Sequence, residues 1–191
     1  MSPNPVHEFL HKTEIGDAFK PAEGRVHSLS DSQSAEDAVA LFEEHKVHSA
    51  PVLDKDGAVL GMVDMLDVVW SIMRVAPTAT DIKRNELQSL EIAGRAMAWA
   101  PLSEIVGSSG RDYSAELFLK SPTTQVLEQF AAGRHRVPVC DNDGLVNVLS
   151  QTAVLRYVAE HMKQGKMGDF TSQPIQKLGL GVSADRSEER R

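Results

Sequence analysis

An eight-residue pattern occurs twice in this chain of 191 residues and constrains its fold more than any other feature. The first copy is APVLDKDG at positions 50–57, and the second is VPVCDNDG at positions 137–144. The prolines (51 and 138) and the glycines (57 and 144) are each 87 positions apart, so both copies keep one spacing. Such a duplication indicates two copies of a small unit that bury a core together. We therefore expect two related surfaces facing each other across a pseudo-two-fold axis, with a ligand cleft at the seam.

The sequence around each copy predicts one order of elements: a short strand, a helix, a β-hairpin and a second helix. Ser34 and Asp37 have the spacing of a capping box at the start of the first helix. Ser121 followed by proline predicts the start of the corresponding second-repeat helix. Asp and Gly between the hairpin strands suit tight turns. The predicted hairpin strands are 48–53, 58–63, 136–140 and 145–149.

Helical periodicity predicts which side of each helix faces the core. In the helix starting near Asp64 and in the last helix, 150–162, the apolar residues recur at this spacing. The predicted buried residues of these two helices are Leu66, Val69, Trp70 and Met73, and then Val154, Leu155, Val158 and Met162. The expected fold class is α+β with α/β-like layers, in which the two repeats pack with pseudo-two-fold symmetry.

The chain divides into four predicted segments. The first repeat spans 9–76 and the second 111–163. Between them, 77–110 is a linker that contains a connecting helix at 87–100, and 164–191 is a C-terminal extension that we expect to be partly disordered.

Composition excludes several classes of function. A net charge of −7 and an aromatic content of 5% argue against a nucleic-acid partner, which needs a basic face or stacking platforms. No apolar run approaches the roughly 20 residues that span a bilayer, so we expect no membrane partner. Cys140 is the single cysteine, which rules out an internal disulfide. We expect a cytoplasmic protein, with the nucleus as an alternative.

Catalytic and metal-binding motifs are not found in the sequence. No nucleophile elbow, zinc-protease motif or phosphate-binding glycine loop occurs, so we predict no catalytic residues and no enzyme activity. The aspartates of the two hairpin turns do not have calcium-loop spacing and are interpreted as turn formers. His7 and His11 stand four apart without a visible third ligand, so we predict no metal site. Cys140 is interpreted as a small core residue.

The two repeats resemble a pair of CBS motifs, the regulatory repeat named after cystathionine β-synthase. The resemblance covers about 9–162 and rests on the Pro-Val-x-Asp-x-x-Gly core and on the residues after each hairpin. Within the CBS families the chain is most similar to the first half of the AMP-activated protein kinase (SNF4-type) γ subunit. The segment from His135 to Pro138 is similar to that family's His-Arg-x-Pro, and LSQT at 149–152 resembles its variant second repeat.

This resemblance implies an adenine-nucleotide sensor that binds AMP, ADP or ATP as a ligand and needs no cofactor. Its implied partners are the catalytic and scaffold subunits of a protein kinase, and a stand-alone module is expected to form a homodimer. Asp67 takes the ribose role by motif match, whereas the second repeat has Ala153 there, which cannot accept a hydrogen bond. Asp67 could instead only cap its helix. An interaction scaffold that binds another adenosyl ligand, or none, and regulates a different partner remains the alternative.

The other predicted ligand contacts lie at the starts of the hairpins and of the last helix. Arg136 can hold a phosphate with two hydrogen bonds and His135 can add one. The predicted phosphate contacts are His48, Ser49, His135, Arg136, Ser150 and Thr152, and the predicted adenine pocket is formed by Val47, Arg134 and Val63. The adenine assignment follows from the resemblance.

Overall fold

The protein is described by a computed structural model covering residues 5–24, 26–75, 91, 94–95, 98–110 and 116–166. The predicted connecting helix at 87–100 therefore lies largely outside the described residues, as does the C-terminal extension beyond position 166. The elements before the linker are α1 (Pro5–Lys12), α2 (Ile15–Ala18), β1 (Leu29–Ser30), α3 (Ala35–His45), β2 (Ser49–Leu53), β3 (Val59–Asp64) and α4 (Met65–Val75). Those after it are α5 (Leu102–Ile105), β4 (Leu117–Phe118), α6 (Thr123–Ala131), β5 (Arg136–Asp141), β6 (Gly144–Ser150) and α7 (Gln151–Lys163).

Each repeat forms a three-stranded sheet of the same topology. The strand orders are β1-β2-β3 and β4-β5-β6, with a parallel first pair and an antiparallel hairpin. Pro51 lies opposite Met62 and Pro138 opposite Val148, so the two prolines have related places in the two hairpins. The predicted α+β class and the duplicated architecture are confirmed, and the predicted ends of the hairpin strands differ from the observed ones by at most one residue, which is within the usual fraying of element ends.

The hairpin turns are held by aspartate side chains. Asp54 Oδ1 accepts hydrogen bonds from the backbone N–H groups of Asp56 (2.8 Å) and Ala58 (2.9 Å), and Asp141 Oδ1 accepts one from Asp143 (2.8 Å). Gly57 has φ 85°, a conformation that residues with a Cβ rarely adopt. These bonds confirm that the turn aspartates organise the backbone.

The first helix of each repeat starts differently. At α3, Ser34 and Asp37 form the predicted reciprocal capping box. At α6, Thr123 is the first helical residue, one position later than predicted, and the Ser121 hydroxyl instead accepts from the N–H of Phe118 at 3.3 Å. The Ser121 side chain therefore closes the turn before the helix instead of capping it.

The predicted buried face of α4 is wrong. The four residues assigned to the core have exposed fractions between 39% and 62%: Leu66, Val69, Trp70 and Met73. Asp67, Val68 and Ser71 are the buried ones. Because α4 carries apolar residues on several sides, its periodicity does not define one stripe. On α7, Val154 is buried as predicted, but Leu155 is 69% exposed, which corrects that part of the prediction.

The segment in front of each repeat packs into the core of the other. Ile15 belongs to the second-repeat core with Val126 and Val139, whereas Leu102 and Ile105 belong to the first-repeat core. Backbone bonds accompany this exchange: Ile15 N–H donates to Ser121 O (2.9 Å), and Leu102 N–H donates to Gln33 O (2.8 Å). The exchange holds the repeats against each other and fixes the seam between them.

Candidate functional site

A cleft of about 270 Å³ lies at the seam between the two repeats. Its walls come from the segment before β1, the start of β2, the start of β5 and the middle of β6. The lining residues are Ala22, Glu23, Val26, His27, Val47, Ser49, Pro51, Arg136, Asn147 and Val148. The cleft is therefore shared by both halves of the duplication, as the repeat predicts.

Strand pairing determines which side chains meet at this cleft. Ser49 pairs with Asp64, the residue before α4, and Arg136 pairs with Ser150, the N-cap of α7. The first residue of each hairpin therefore lies beside the start of the helix that follows the hairpin. A helix start has the positive end of the helix dipole, which favours anionic groups, although the Asp64 and Ser150 side chains here accept from some of its backbone N–H groups.

One wall of the cleft is a stretch of chain attached to the edge of β6. Ala22 N–H donates to Val146 O (3.1 Å), and Asn147 Nδ2 donates to Lys20 O (2.8 Å). These bonds hold Glu23 and His27 at the cleft, with Arg136 across the seam. The described lining thus carries one carboxylate, one imidazole and one guanidinium, which suits a small ligand with both polar and apolar parts.

Three of the residues predicted from the sequence line the cleft: Val47, Ser49 and Arg136. Val47 comes from the first repeat and Arg136 from the second, so the structure brings together predicted contacts that are far apart in sequence. His48 and His135 are exposed and precede Ser49 and Arg136, respectively, but they do not belong to the lining. Their predicted phosphate contacts remain predictions.

The remaining predicted contacts have local structural roles or lie elsewhere. Ser150 Oγ accepts from Ala153 N–H at 3.2 Å and so caps α7, while Thr152 is exposed on the same helix. Arg134 donates to the Gln129 side chain, and its carbonyl accepts from Gln151 Nε2.

Val63 is fully buried in the first-repeat core. As packed, Val63 offers no surface to a ligand, so it is not part of the function proposed below.

Asp67 is a fully buried carboxylate whose two oxygens both accept backbone hydrogen bonds. Oδ2 accepts from Asp64 N–H (3.0 Å) and Oδ1 accepts from Ser109 N–H (3.0 Å). Asp64 Oδ1 accepts in return from Asp67 N–H at 3.0 Å, which completes a capping box at the start of α4. The helix-capping role that the sequence left open is therefore present, and Asp67 does not line the seam cleft.

A stacked pair of histidines beside the cleft was not predicted from the sequence. The rings of His27 and His45 lie with centroids 3.7 Å apart and planes 19° from parallel. His27 lines the cleft, and His45 is the last residue of α3. No local pattern joins these two positions, because the chain turns through β1 and α3 between them.

Cys140 lies in β5 with its thiol buried, as the sequence predicted. Burial, with smaller contributions from the charges of Glu116 and Asp141, raises the pKa of Cys140 to about 11. A thiol with this pKa is protonated at neutral pH and is a poor nucleophile.

Two other cavities are larger than the seam cleft. One, of about 670 Å³, lies between α3, α4 and the described part of the linker, including Arg95 and Trp99. The other, of about 370 Å³, lies between the hairpin turns near Gly57 and Gly144 and has no cationic side chain in its described lining. Neither cavity contains a residue that the sequence analysis singled out as a ligand contact.

Metal-binding clusters and membrane spans were searched within the described part of the chain. It contains no group of three or more His, Cys, Asp or Glu side chains that could hold a metal ion. Among the helices it includes, not one combines the length and the apolar character that crossing a bilayer requires.

Known structures with this architecture include ligand complexes. The chain matches CBSX2 in complex with AMP at 23% identity and a TM-score of 0.55, covering 77% of this chain and 97% of that one. It matches CbpB in complex with c-di-AMP at 14% identity and a TM-score of 0.58, covering 84% and 93%. It also matches the CBS domain of a membrane protein from Sphaerobacter thermophilus at 16% identity and a TM-score of 0.55, covering 80% and 91%. At these identities the likeness establishes the fold.

The family comparison identifies both repeats independently of the structure. No curated protein matches this chain. The family described as CBS domain matches residues 21–74 and residues 119–160, one segment in each repeat. The similarity to the kinase γ subunit in particular is not part of these matches. The duplicated hairpin units, the seam cleft and the two matched segments together show that this chain belongs to the CBS-domain family.

Proposed function

We propose that this protein is a regulatory module that binds an adenine nucleotide in the seam cleft. The observation that carries the proposal is that the cleft joins Val47 and Ser49 of one repeat to Arg136 of the other. A ligand held by both repeats favours the packing in which they are correctly spaced, so binding shifts the balance between packings. CBS domains are generally ligand-binding modules and not catalysts, which agrees with this role.

The chemistry of the cleft supports a nucleotide with a short phosphate chain. Arg136 offers a permanently charged, planar donor that can hold a phosphate with two hydrogen bonds. His48 and His135 are exposed at the positions next to Ser49 and Arg136, and we propose them as further phosphate contacts. Glu23 in the lining disfavours additional negative charge nearby. Two related structures hold AMP and c-di-AMP, which supports an adenosyl ligand.

Isothermal titration calorimetry tests this proposal with AMP, ADP, ATP, c-di-AMP and adenosine. We expect wild-type protein to bind at least one nucleotide, and Arg136→Ala to weaken AMP binding at least tenfold while changing adenosine binding little. Arg156→Ala is the matched control, because Arg156 is exposed on α7 and outside the cleft lining. Absence of binding by every adenosyl compound, or equal effects of the two arginine variants, would overturn the proposal.

The finer proposal is a γ-like subunit of an SNF1/AMP-activated-type protein kinase, in the cytoplasm or the nucleus. It is supported by the similarity of the segment from His135 to Pro138 and of positions 149–152 to that subunit. Copurification with kinase catalytic and scaffold subunits, and a nucleotide-dependent change in kinase activity, would support it. A module that binds nucleotide but not these subunits would leave the alternative, a CBS pair that regulates a different protein.

We also propose that the module forms a homodimer through α4. This helix exposes Met65, Val69, Trp70 and Met73, and its fully buried Asp67 adds no charge to that surface. A large apolar face of this kind marks an interaction surface on a soluble domain. Sedimentation analysis should give a dimer for wild type and a monomer for Trp70→Glu. Leu155→Glu on α7 is the control, which we expect to weaken the dimer less.

A further inference from the structure

A groove of about 670 Å³ lies on the first repeat between α3, α4 and the end of the linker, and is here called the linker groove. All three walls contribute apolar side chains: Val39 of α3, Val68 and Ile72 of α4, and Trp99 of the linker. None of these residues lines the seam cleft. The linker groove is therefore separate from the site proposed for the nucleotide.

The linker wall of the groove is attached to α3 by backbone hydrogen bonds. Ala35 N–H, at the start of α3, donates to Ala100 O at 3.3 Å. Leu102 N–H donates to Gln33 O at 2.8 Å, and the Leu102 side chain is fully buried in the first-repeat core. The groove is therefore bounded by anchored backbone and needs no occupant in order to form.

The apolar lining of the groove is partly open to solvent. Trp99 is 75% exposed and Ile72 is 43% exposed. Apolar side chains that stay exposed around a concavity mark a binding surface for apolar groups. Positions 68, 71 and 72 form the groove side of α4, because they are three and four apart, and Trp70 lies on the nearly opposite side. An occupant of the groove therefore leaves Trp70 of the proposed dimer surface free.

The rim of the linker groove is acidic. Glu36 and Glu43 both line it and are seven positions apart on α3, so they lie on one side of the helix, about 10.5 Å apart along its axis. Among the described residues, no ion pair includes either carboxylate. Arg95, the cation of the described lining, donates to Glu91 at 2.9 Å. The rim therefore favours an occupant that carries a positive charge.

Positions 170–184 of the C-terminal extension have the composition that such a groove requires. Leu178, Leu180 and Val182 are two positions apart, so an extended conformation puts them on one side of the chain. The positions between them are glycines, which add no side chain to the other side. Lys177 is the single charged residue of this stretch. The stretch therefore combines an apolar side with one positive charge.

The same stretch is long enough to reach the groove. The described chain ends at Lys166, three positions after the end of α7. The twelve positions from there to Leu178 span up to about 40 Å when extended. A compact domain of this length has a radius of gyration of about 16 Å, so this span covers the molecule. An attached segment also has an effective concentration of about a millimolar, which lets a small contact be occupied.

We propose that residues 175–182 dock in the linker groove of their own chain, with the leucines against its apolar lining and Lys177 beside Glu36 and Glu43. The C-terminal extension then covers an interaction surface of the first repeat, and a partner protein that uses this surface has to displace it. The proposal does not depend on a nucleotide in the seam cleft, so its failure leaves the proposed function intact.

Paramagnetic broadening in NMR spectra of the full chain tests the docking. Cys140 is buried and its pKa is raised to about 11, so a cysteine introduced by Ser183→Cys can be spin-labelled selectively. We expect the label to broaden the amide signal of Val39 and the indole signal of Trp99 at least fivefold more than the amide signal of Val148 in the seam cleft. Equal broadening at the three positions would overturn the proposal.

A mixed sample separates docking within one chain from docking between two copies. Spin-labelled chains without isotope are mixed with isotope-labelled chains without the spin label, at a concentration where the protein is monomeric. We expect the Val39 and Trp99 signals to stay sharp in this mixture. Broadening as strong as in the doubly labelled chain would overturn docking within the chain and would assign the groove to a second copy.

Charge substitutions test the acidic rim. Lys177→Glu should reduce the broadening at Val39 and Trp99 at least threefold, because it puts a third carboxylate at the rim. Adding Glu43→Lys to Lys177→Glu should restore at least half of the lost broadening. Lys166→Glu is the matched control, since it makes the same charge change outside the docking stretch, and it should have no effect. Equal effects of the two lysine variants, or no recovery in the double variant, would contradict the proposal.

The apolar side of the stretch can be tested in the same way. Replacing Leu178 and Leu180 together by serine should abolish the excess broadening in the groove, because both side chains are proposed to pack against its lining. Gln176→Ser is the control and should keep the broadening. Undiminished broadening in the double serine variant would show that the leucines do not hold the segment, which would overturn the proposed mode of docking.

Discussion

The two repeats share one backbone plan but differ where their last helices begin. In the first repeat Asp64 and Asp67 cap α4 reciprocally, and Asp67 also accepts a bond from the linker. In the second repeat Ser150 caps α7 alone, and Ala153 has no side chain that could accept a bond. Positions 67 and 153 are equivalent in the two repeats, but only position 67 has a buried carboxylate. The two sides of the module should therefore respond differently to one ligand.

The surfaces of α4 and α7 differ in the same direction. The exposed residues of α4 are apolar except for Arg74, whereas α7 exposes Leu155 among polar residues such as Arg156 and Glu160. The repeats thus contribute differently to the two proposed roles: the first supplies the apolar face of the proposed dimer, and the second supplies the arginine of the cleft.

Removing the side chain that caps α4 should destabilise the protein more than removing the one that caps α7, and this is the largest difference we expect between the repeats. Asp67→Ala leaves the N–H groups of Asp64 and Ser109 without their acceptor, and bonds to a charged group are worth about 1.5–3 kcal/mol each. We expect a loss of about 3 kcal/mol in the free energy of unfolding. Ser150→Ala removes a neutral cap and should cost about 1 kcal/mol. Urea denaturation measures both, and equal losses would refute the asymmetry.

The buried and exposed faces of α4 can be compared with one substitution at adjacent positions. Val68 is 6% exposed and Val69 is 41% exposed. Val68→Ala should lower the free energy of unfolding by about 2 kcal/mol, because a buried side chain is truncated. Val69→Ala should change it by less than about 0.5 kcal/mol at concentrations where the protein is monomeric. A larger loss of unfolding free energy for Val69→Ala than for Val68→Ala would instead support the buried face that the periodicity predicts.

The two serines before α3 and α6 allow a smaller comparison. Ser34→Ala should cost about 1 kcal/mol, because Ser34 caps α3. Ser121→Ala should cost less stability, since the Ser121 hydroxyl accepts only one long hydrogen bond.

The Ser34 cap also gives this helix start a pH dependence. Hydrogen bonds from the Ser34 backbone N–H, the larger cause, and from the Ser34 hydroxyl lower the pKa of Asp37 below its ordinary value of 3.8. A carboxyl whose pKa is lower in the folded state stabilises above its unfolded pKa, so the Ser34→Ala effect should shrink as pH falls below that value.

Cys140 gives the smallest expected effect and a check on the second-repeat core. Because its pKa is raised to about 11, the thiol should react slowly with a disulfide reagent at pH 8 in folded protein and rapidly in urea. The absorbance of the released thiolate follows the reaction. Fast reaction in the folded state would mean that β5 is more open than described.

Most of the fold could be predicted from the sequence because its signals are local. The hairpin turns and the Ser34 capping box are set by residues two to four positions apart. The face of α4 could not be predicted, because apolar residues lie on several of its sides and only the position of the sheet decides which are buried.

The candidate site was only partly predictable. Val47, Ser49 and Arg136 follow from the repeat and the resemblance, and they meet in the cleft. The bond from Ser109 to Asp67 and the stack of His27 on His45 depend on how distant segments pack. No local pattern in the sequence encodes these two contacts.

The central claim is that an adenine nucleotide binds between the repeats, and an amide NMR titration with AMP tests it most directly. The account predicts saturable shifts at Val47, Ser49, Arg136 and Val148, which come from both repeats, with a stoichiometry of about one AMP per chain. Shifts confined to one repeat, shifts only around the cavity near Trp99, or no shifts at millimolar AMP would contradict it.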